Sequence, residues 1–283
     1  MNWLQSELSH TLARTPASLD QLSALIEPQW ISQALAATGK ASVRRRKLPA
    51  EHVVWLVIGL ALFRNQPIWH VVRQLDLTLD GQPIAAPSAA VQGRQRLGEE
   101  PLQQLFTLLM RAWTSDSCPP CARVLGLRVL AVDGVVWSAL DTPENRQSLG
   151  CNSNQYGPGS QPQIRAVCLM DTHTHELLDA RLGSMAQGEL TLAAELDGCD
   201  QSLTVFDRAY FWAAFLQGWQ AGGEQRHWLM RAKDNLRYEV LTKHGEGDYT
   251  IAMPVSPRAR KLQPSLPSHW QARLIEVQLG GRK

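Results

Sequence analysis

Two aspartates, Asp133 and Asp207, stand in the same local setting. Each closes a run of strand-forming residues, Val129-Leu130-Ala131-Val132 before the first and Leu203-Thr204-Val205-Phe206 before the second. A carboxylate at the C-terminal end of a strand sits on a rigid element yet points past the sheet, where ligands bind in open α/β sheets. Two such strands side by side put two acids within reach of a shared pair of divalent cations roughly 3.5–4 Å apart, an arrangement that activates a hydroxyl and stabilises a leaving oxygen at a phosphodiester. Taken singly, either residue also reads as an ordinary turn former, and Asp133-Gly134 most of all. Their occurrence together favours the metal-holding reading.

The elements that must position them change character along the chain. Residues 18–115 carry apolar side chains at helical spacing with punctuation where caps belong, predicting helices over 18–39, 49–64, from 67, at 88–97 and over 101–114. A composition shift at 115–123, centred on Cys118-Pro119-Pro120-Cys121, marks a boundary between a helical domain of residues 1–115 and a second domain of 126–283. From Gly126 the apolar period becomes that of strands, predicted at 127–133, 135–139, 164–171 and 177–182. A helix at 188–196, a strand at 203–207, a helix at 210–220 and a strand at 227–231 follow. The order β-β-β-α-β-α-β is that of an RNase H-like core, a mixed sheet with helices on its faces. From about residue 236 the pattern is short strands and turns without a helix. The fold class is therefore α+β: an all-helical N-terminal domain, an RNase H-like mixed α/β core and the start of a β-rich insertion.

Ala131-Val132-Asp133-Gly134, followed by Val205-Phe206-Asp207-Arg208-Ala209-Tyr210-Phe211 behind a helical domain, resembles the IS4 family of bacterial DDE transposases over nearly the whole chain. The resemblance implies cut-and-paste transposition: hydrolysis at the transposon end and strand transfer into target DNA, using two Mg²⁺ or Mn²⁺ ions held in part by Asp133 and Asp207. It implies DNA partners, the terminal inverted repeats and the target, a homodimer in the synaptic complex, and a cytoplasmic, nucleoid-associated protein. The family's third carboxylate lies in the pattern Tyr-x2-Arg-x3-Glu-x6-Lys, which this sequence lacks: Gly159, Ala213, Leu241 and Ala252 stand three residues beyond its tyrosines. The chain reads as cut short inside the insertion and inactive as it stands, with Glu276 a solvent-facing strand residue. A non-catalytic DNA-binding or assembly remnant is the alternative. A stand-alone nuclease needs a third acid that the sequence does not locate.

Composition bounds the rest. With 44% hydrophobic residues over 283 and a net charge of +2, the chain buries a core, and any affinity for nucleic acid must come from local clusters. The longest apolar run, Val53 to Phe63, is 11 residues, against roughly 20 for a membrane span. Five scattered cysteines fit a reducing compartment. Cys118 and Cys121 lack a second ligand pair, Asp171, His173 and His175 read as a polar hairpin turn, and Gly157-Pro158-Gly159 reads as a loop. Arg94 and Arg96 lie on a helix that follows another as in a helix-turn-helix, with a proline-containing loop too long for the tight form, and beyond Met230 ten Lys/Arg stand against five acids. Trp270 reads as a core residue, with stacking on a flipped base as the other use. Arg44-Arg45-Arg46-Lys47, joined by Lys40, form a run of cations without an intervening acid. If these four contact phosphates, replacing them with Ala weakens DNA binding regardless of sequence and lowers the salt slope by about 0.9 per lost contact. Binding titrations across a salt series measure this, and an unchanged slope returns the cluster to solvent.

Overall fold

The computed structural model describes residues 19–41, 48–79, 82–83, 87–114, 123–154 and 157–277. Arg44, Arg45, Arg46, Lys47, Cys118 and Cys121 lie outside the described residues. The chain divides into two compact units between residues 115 and 116.

The first unit holds α1 (Leu19–Leu25), α2 (Pro28–Ala37), α3 (Ala50–Leu62), α4 (Ile68–Gln74), α5 (Pro87–Leu97) and α6 (Glu100–Thr114). Residues at helical spacing turn inward: Ile31, Ala34 and Leu35 on α2, Val53, Val54 and Leu56 on α3, Val71 and Val72 on α4. Each fully buried Leu, Ile or Val contributes about 1.5–3 kcal/mol relative to exposure, so packed faces rather than propensity hold these short helices. The single helix predicted over 18–39 breaks at Glu27, because the residue before a proline is driven out of the helical region; its ψ is 128°. The unit is also not all helical. β1 (Thr78–Leu79) pairs with β2 (Gln82–Pro83) in an antiparallel hairpin, and Asp80-Gly81, a dipeptide that favours tight hairpins, stands between them in the sequence. This hairpin occupies the long connection expected between α4 and the α5 helix of Arg94 and Arg96.

The second unit is built on β3 (Arg128–Ser138), α7 (Pro143–Leu149), β4 (Cys151–Asn154), β5 (Gly157–Asp171), β6 (Leu177–Ser184), α8 (Glu189–Ala193), β7 (Ser202–Phe206), α9 (Ala213–Ala221) and β8 (Arg226–Met230). The sheet order is β4-β5-β3-β7-β8, with β6 also on β5. β5 lies antiparallel to β3 and β6, whereas β7 runs parallel to β3 and β8. Two strands were expected where β3 runs as one. Its pairing with β5 continues from Leu130↔Asp171 to Ser138↔Gln163, and these ladder bonds override the turn preference of Asp133-Gly134. The loop predicted at 157–159 is instead the start of β5, which pairs with β4; at Gly159 a Cβ would meet Asn152 O at 2.8 Å.

Alternation divides the sheet into two unlike faces. Leu130, Val132, Leu169 and Phe206 are buried with Leu192 and Ala193 of α8 and Phe215, Leu216 and Trp219 of α9. The other face carries Trp137, Leu182 and Leu229, 51%, 54% and 51% exposed. A second sheet, β9 (Glu239–Gly245), β10 (Asp248–Pro254) and β11 (His269–Ile275), is antiparallel in the order β11-β10-β9. It includes α10 (Pro257–Leu262), in a stretch where the sequence predicts no helix. Ser256 caps α10, accepting from the Ala259 N–H at 3.2 Å, and Pro257 supplies the favoured first residue.

β3 is fastened at its start by a buried ion pair: Arg128 Nε donates to Asp171 Oδ2. Asp171 Oδ1 accepts from the N–H groups of His173 (2.7 Å) and Thr174 (3.0 Å), tying the turn into β6. Burial pushes the Asp171 carboxyl up, but the Thr174 N–H, Arg128 and the His173 N–H prevail and hold it below its ordinary value. A carboxyl depressed in the folded state contributes stability above its unfolded value, near 3.9, and loses it as pH falls through the folded value. Asp171→Ala should cost about 3–5 kcal/mol in urea unfolding at pH 7, a gap that narrows below about pH 4.

Candidate active site

Asp133 lies on the half-open face of β3, with Ala131 and Val135 on either side, and its Oδ1 accepts from the Gly134 N–H at 2.8 Å. Asp207 follows the last residue of β7. Its extended backbone (φ −68°, ψ 157°) caps a 3-10 turn over Arg208–Tyr210, and its Oδ1 accepts from the Ala209 N–H at 2.8 Å. The last registered pair between the two strands is Val132↔Phe206. Neighbouring strands are about 4.8 Å apart, and each aspartate is the next residue along the chain, so the parallel pairing brings both to the end of the β3–β7 ladder. Both are exposed. They flank the point where the sheet changes direction, antiparallel towards β5 and parallel towards β7, which is where crevices open in sheets of this kind.

The Ala209 N–H, with Arg208 and Lys233 adding positive charge, holds the Asp207 carboxyl below its ordinary value. Tyr210, 2% exposed, packs against Phe206 and Phe215 at ring-centroid distances of 5.6 and 5.9 Å. Burial, its hydrogen bond to Glu189 and the charges of Glu189, Asp133 and Asp207 push its phenol far above the usual range. It is therefore a neutral donor at every physiological pH.

Glu189, the first residue of α8, is the acid that sequence reasoning misses. Tyr210 OH donates to its Oε1 at 2.5 Å. Gly134 faces it from β3, and a Cβ there would stand 2.5 Å from Glu189 Cδ and 2.7 and 2.9 Å from its oxygens. Both carboxylates thus rest on one glycine, Asp133 on its N–H and Glu189 on its Cα. A missing side chain at one position accommodating an acid much later in the chain leaves no local pattern to read.

The other predicted residues lie elsewhere. Arg94 and Arg96 are exposed on α5, in the first unit, where the Arg96 carbonyl accepts from Lys40 Nζ at 3.2 Å. Trp270 is a core residue, 7% exposed, with ring centroids 5.5 Å from Trp228 and 5.8 Å from Phe211. Asp171, His173 and His175 form the turn between β5 and β6. Glu276 is exposed just past β11, where it lines a groove of about 690 Å³ with Arg231, Lys233 and Tyr238. Lys233 stands over the Phe211 ring at 5.5 Å.

Any side chain at Gly134 must push the Glu189 carboxylate away from the buried Tyr210 hydroxyl. Leaving that hydroxyl unsatisfied costs about 1–3 kcal/mol. Gly134→Ala should lower unfolding stability by about that much, and most of the loss should vanish in a Tyr210→Phe background, where no hydroxyl waits for a partner. Urea unfolding of the two single variants and the double variant measures this.

Residues 16–107 match the family described as Insertion element 4 transposase N-terminal, and residues 125–278 match Transposase DDE domain. The chain is 37% identical over 267 residues to Transposase InsG for insertion sequence element IS4 of Escherichia coli (strain K12), an alignment covering 93% of this chain and 60% of that one. It is 33% identical over 237 residues to Putative transposase InsZ of the same organism, covering 80% of this chain and 76% of that one. The solved piggyBac transposase synaptic complex with hairpin DNA overlaps 87% of this chain and 60% of its own at 9% identity and a TM-score of 0.35. The chain therefore spans 60% of the length of InsG. With a DDE-domain match over more than half of its residues and these identities to InsG and InsZ, the chain belongs to the IS4 family of DDE transposases.

Proposed function

We propose that this chain carries part of a cut-and-paste DNA transposase in which Asp133 and Asp207 hold Mg²⁺ or Mn²⁺ at the scissile phosphodiester. The observation that carries the reading is the parallel ladder ending at Val132↔Phe206, after which the next residue on each chain segment is an aspartate. The strand order, with β3, β5 and β6 pairing antiparallel in succession and β3 also pairing in parallel with β7, supports taking the sheet as an RNase H-like core.

The donors suit a hard divalent cation. Both groups are exposed carboxylates beside the end of the β3–β7 ladder, Asp207 is held ionised by the Ala209 N–H, and each accepts from a backbone N–H through Oδ1. Among the described residues no three His, Cys, Asp or Glu side chains form a ready-made ion cage, which agrees with an ion bound by one or two carboxylates together with water and substrate phosphate. Bound there, the cations would neutralise the phosphate and activate the attacking hydroxyl. The protein's own part is to fix the two carboxylates on adjacent strands and keep Tyr210 neutral. Arg208 and Lys233, whose charges act on Asp207, then offer cations to a DNA phosphate beside it.

The partners in this reading are the transposon ends, the target DNA and a second copy of the chain. Two aspartates leave a second ion weakly held, so these residues should bind DNA ends better than they cut them. A nicking assay on transposon-end DNA with Mg²⁺ or Mn²⁺, comparing this chain with the same chain continued by the C-terminal part of InsG, tests the reading. The continued chain should nick, and Asp133→Asn or Asp207→Asn should abolish nicking. Cleavage that survives both substitutions overturns the assignment. Equal Asp133-dependent cleavage by the shorter chain means that an acid within these residues completes the site.

A further inference from the structure

Glu189 is fixed from three directions. Leu192 and Ala193, 1% and 0% exposed, root the single turn of α8 in the core. Tyr210, itself wedged among Phe206 and Phe215, clamps Oε1. Gly134 provides the space that the carboxylate occupies beside the backbone of Asp133. An acid on the first residue of a single-turn helix, with one oxygen clamped by a buried phenol, is held more firmly than the helix itself requires. It is well suited to facing a cation: Mg²⁺ gives up its waters reluctantly, and those waters are donors that need fixed acceptors. The hydroxyl that holds Glu189 also feels the charges of Asp133 and Asp207.

We propose that Glu189 is a positioning residue of the cation site, held by Tyr210 against Gly134 so that its second oxygen accepts from the hydration shell of the ion beside Asp133. The inference rests on the reading that Asp133 and Asp207 hold the metal. Removing an outer-shell partner of this kind typically weakens metal affinity about 10–100-fold.

The test is Mn²⁺ binding to the 283-residue chain, by calorimetry and by the electron paramagnetic resonance signal of free Mn²⁺ at pH 7, with unfolding midpoints measured in parallel. Glu189→Gln keeps the shape and an acceptor for Tyr210, and should weaken the Mn²⁺ Kd by about 10-fold with little change in the midpoint. Tyr210→Phe keeps the charge but releases the clamp, and should weaken binding in the same direction; it is the deciding variant if Glu189→Gln fails to fold. A purely structural role lowers the midpoint and leaves Kd unchanged, and an unchanged Kd in a folded Glu189→Gln, or in Tyr210→Phe, overturns the proposal. If Asp133→Asn abolishes binding while these variants bind normally, only this inference falls. Absence of Mn²⁺ binding by the unaltered chain, or binding that survives both Asp133→Asn and Asp207→Asn, overturns the metal reading and this inference with it.

Discussion

The candidate site depends on one strand remaining a strand through a dipeptide that prefers to turn. Left to local preference, Asp133-Gly134 would reverse the chain and carry the carboxylate off the sheet. The antiparallel ladder to β5 does not break there; it continues for four more residues beyond Gly134, to Ser138, and that continuity fixes Asp133 in the extended conformation. On the other side the support stops, because β7 ends at Phe206 and the backbone enters the 3-10 turn capped by Asp207. The sheet therefore forks between the two aspartates, one still inside its strand and the other just beyond its own. The fork is held from beneath by Phe206, whose ring meets Tyr210, Phe215 and Trp219 within 5.6 Å. The same ring cluster that terminates β7 thus also anchors the hydroxyl facing Glu189.

What the sequence makes legible is what depends on neighbours along the chain. Asp133 and Asp207 are readable because each follows its own apolar run, and the positions of β5 to β8 follow from period and composition. The two short helices α7 and α10 have readable starts as well, each a hydroxyl residue followed by proline, Thr142-Pro143 and Ser256-Pro257, but too little apolar periodicity beyond them to distinguish a helix from a turn. The unity of β3 is not legible, since it is imposed by a partner strand whose pairing only the fold reveals. Glu189 is less legible still: the information that places it is divided between a glycine on one strand and a phenol after another.

The two faces of the main sheet show the same division between local and long-range control. On the covered face Leu130, Leu169 and Phe206 satisfy their burial through α8 and α9. On the other, Trp137, Leu182 and Leu229 remain half in solvent, although their alternation alone predicts inward-facing side chains just as strongly. Hydrophobic pattern tells which residues share a face, not whether anything packs upon it. Trp270 illustrates the converse: it lies in a strand of the smaller sheet, yet its stacking on Trp228 ties it to the main sheet's core, which leaves its ring unavailable to a nucleotide.

Gly134 carries a consequence at the level of the gene. Every substitution at the first or second base of a glycine codon either ends the chain or introduces a side chain with a Cβ, and at this position any Cβ collides with the Glu189 carboxylate. Aspartate and glutamate, two of the accessible replacements, would in addition set like charge against it. The contact between Glu189 and β3 is therefore sensitive to almost any point change in two adjacent nucleotides.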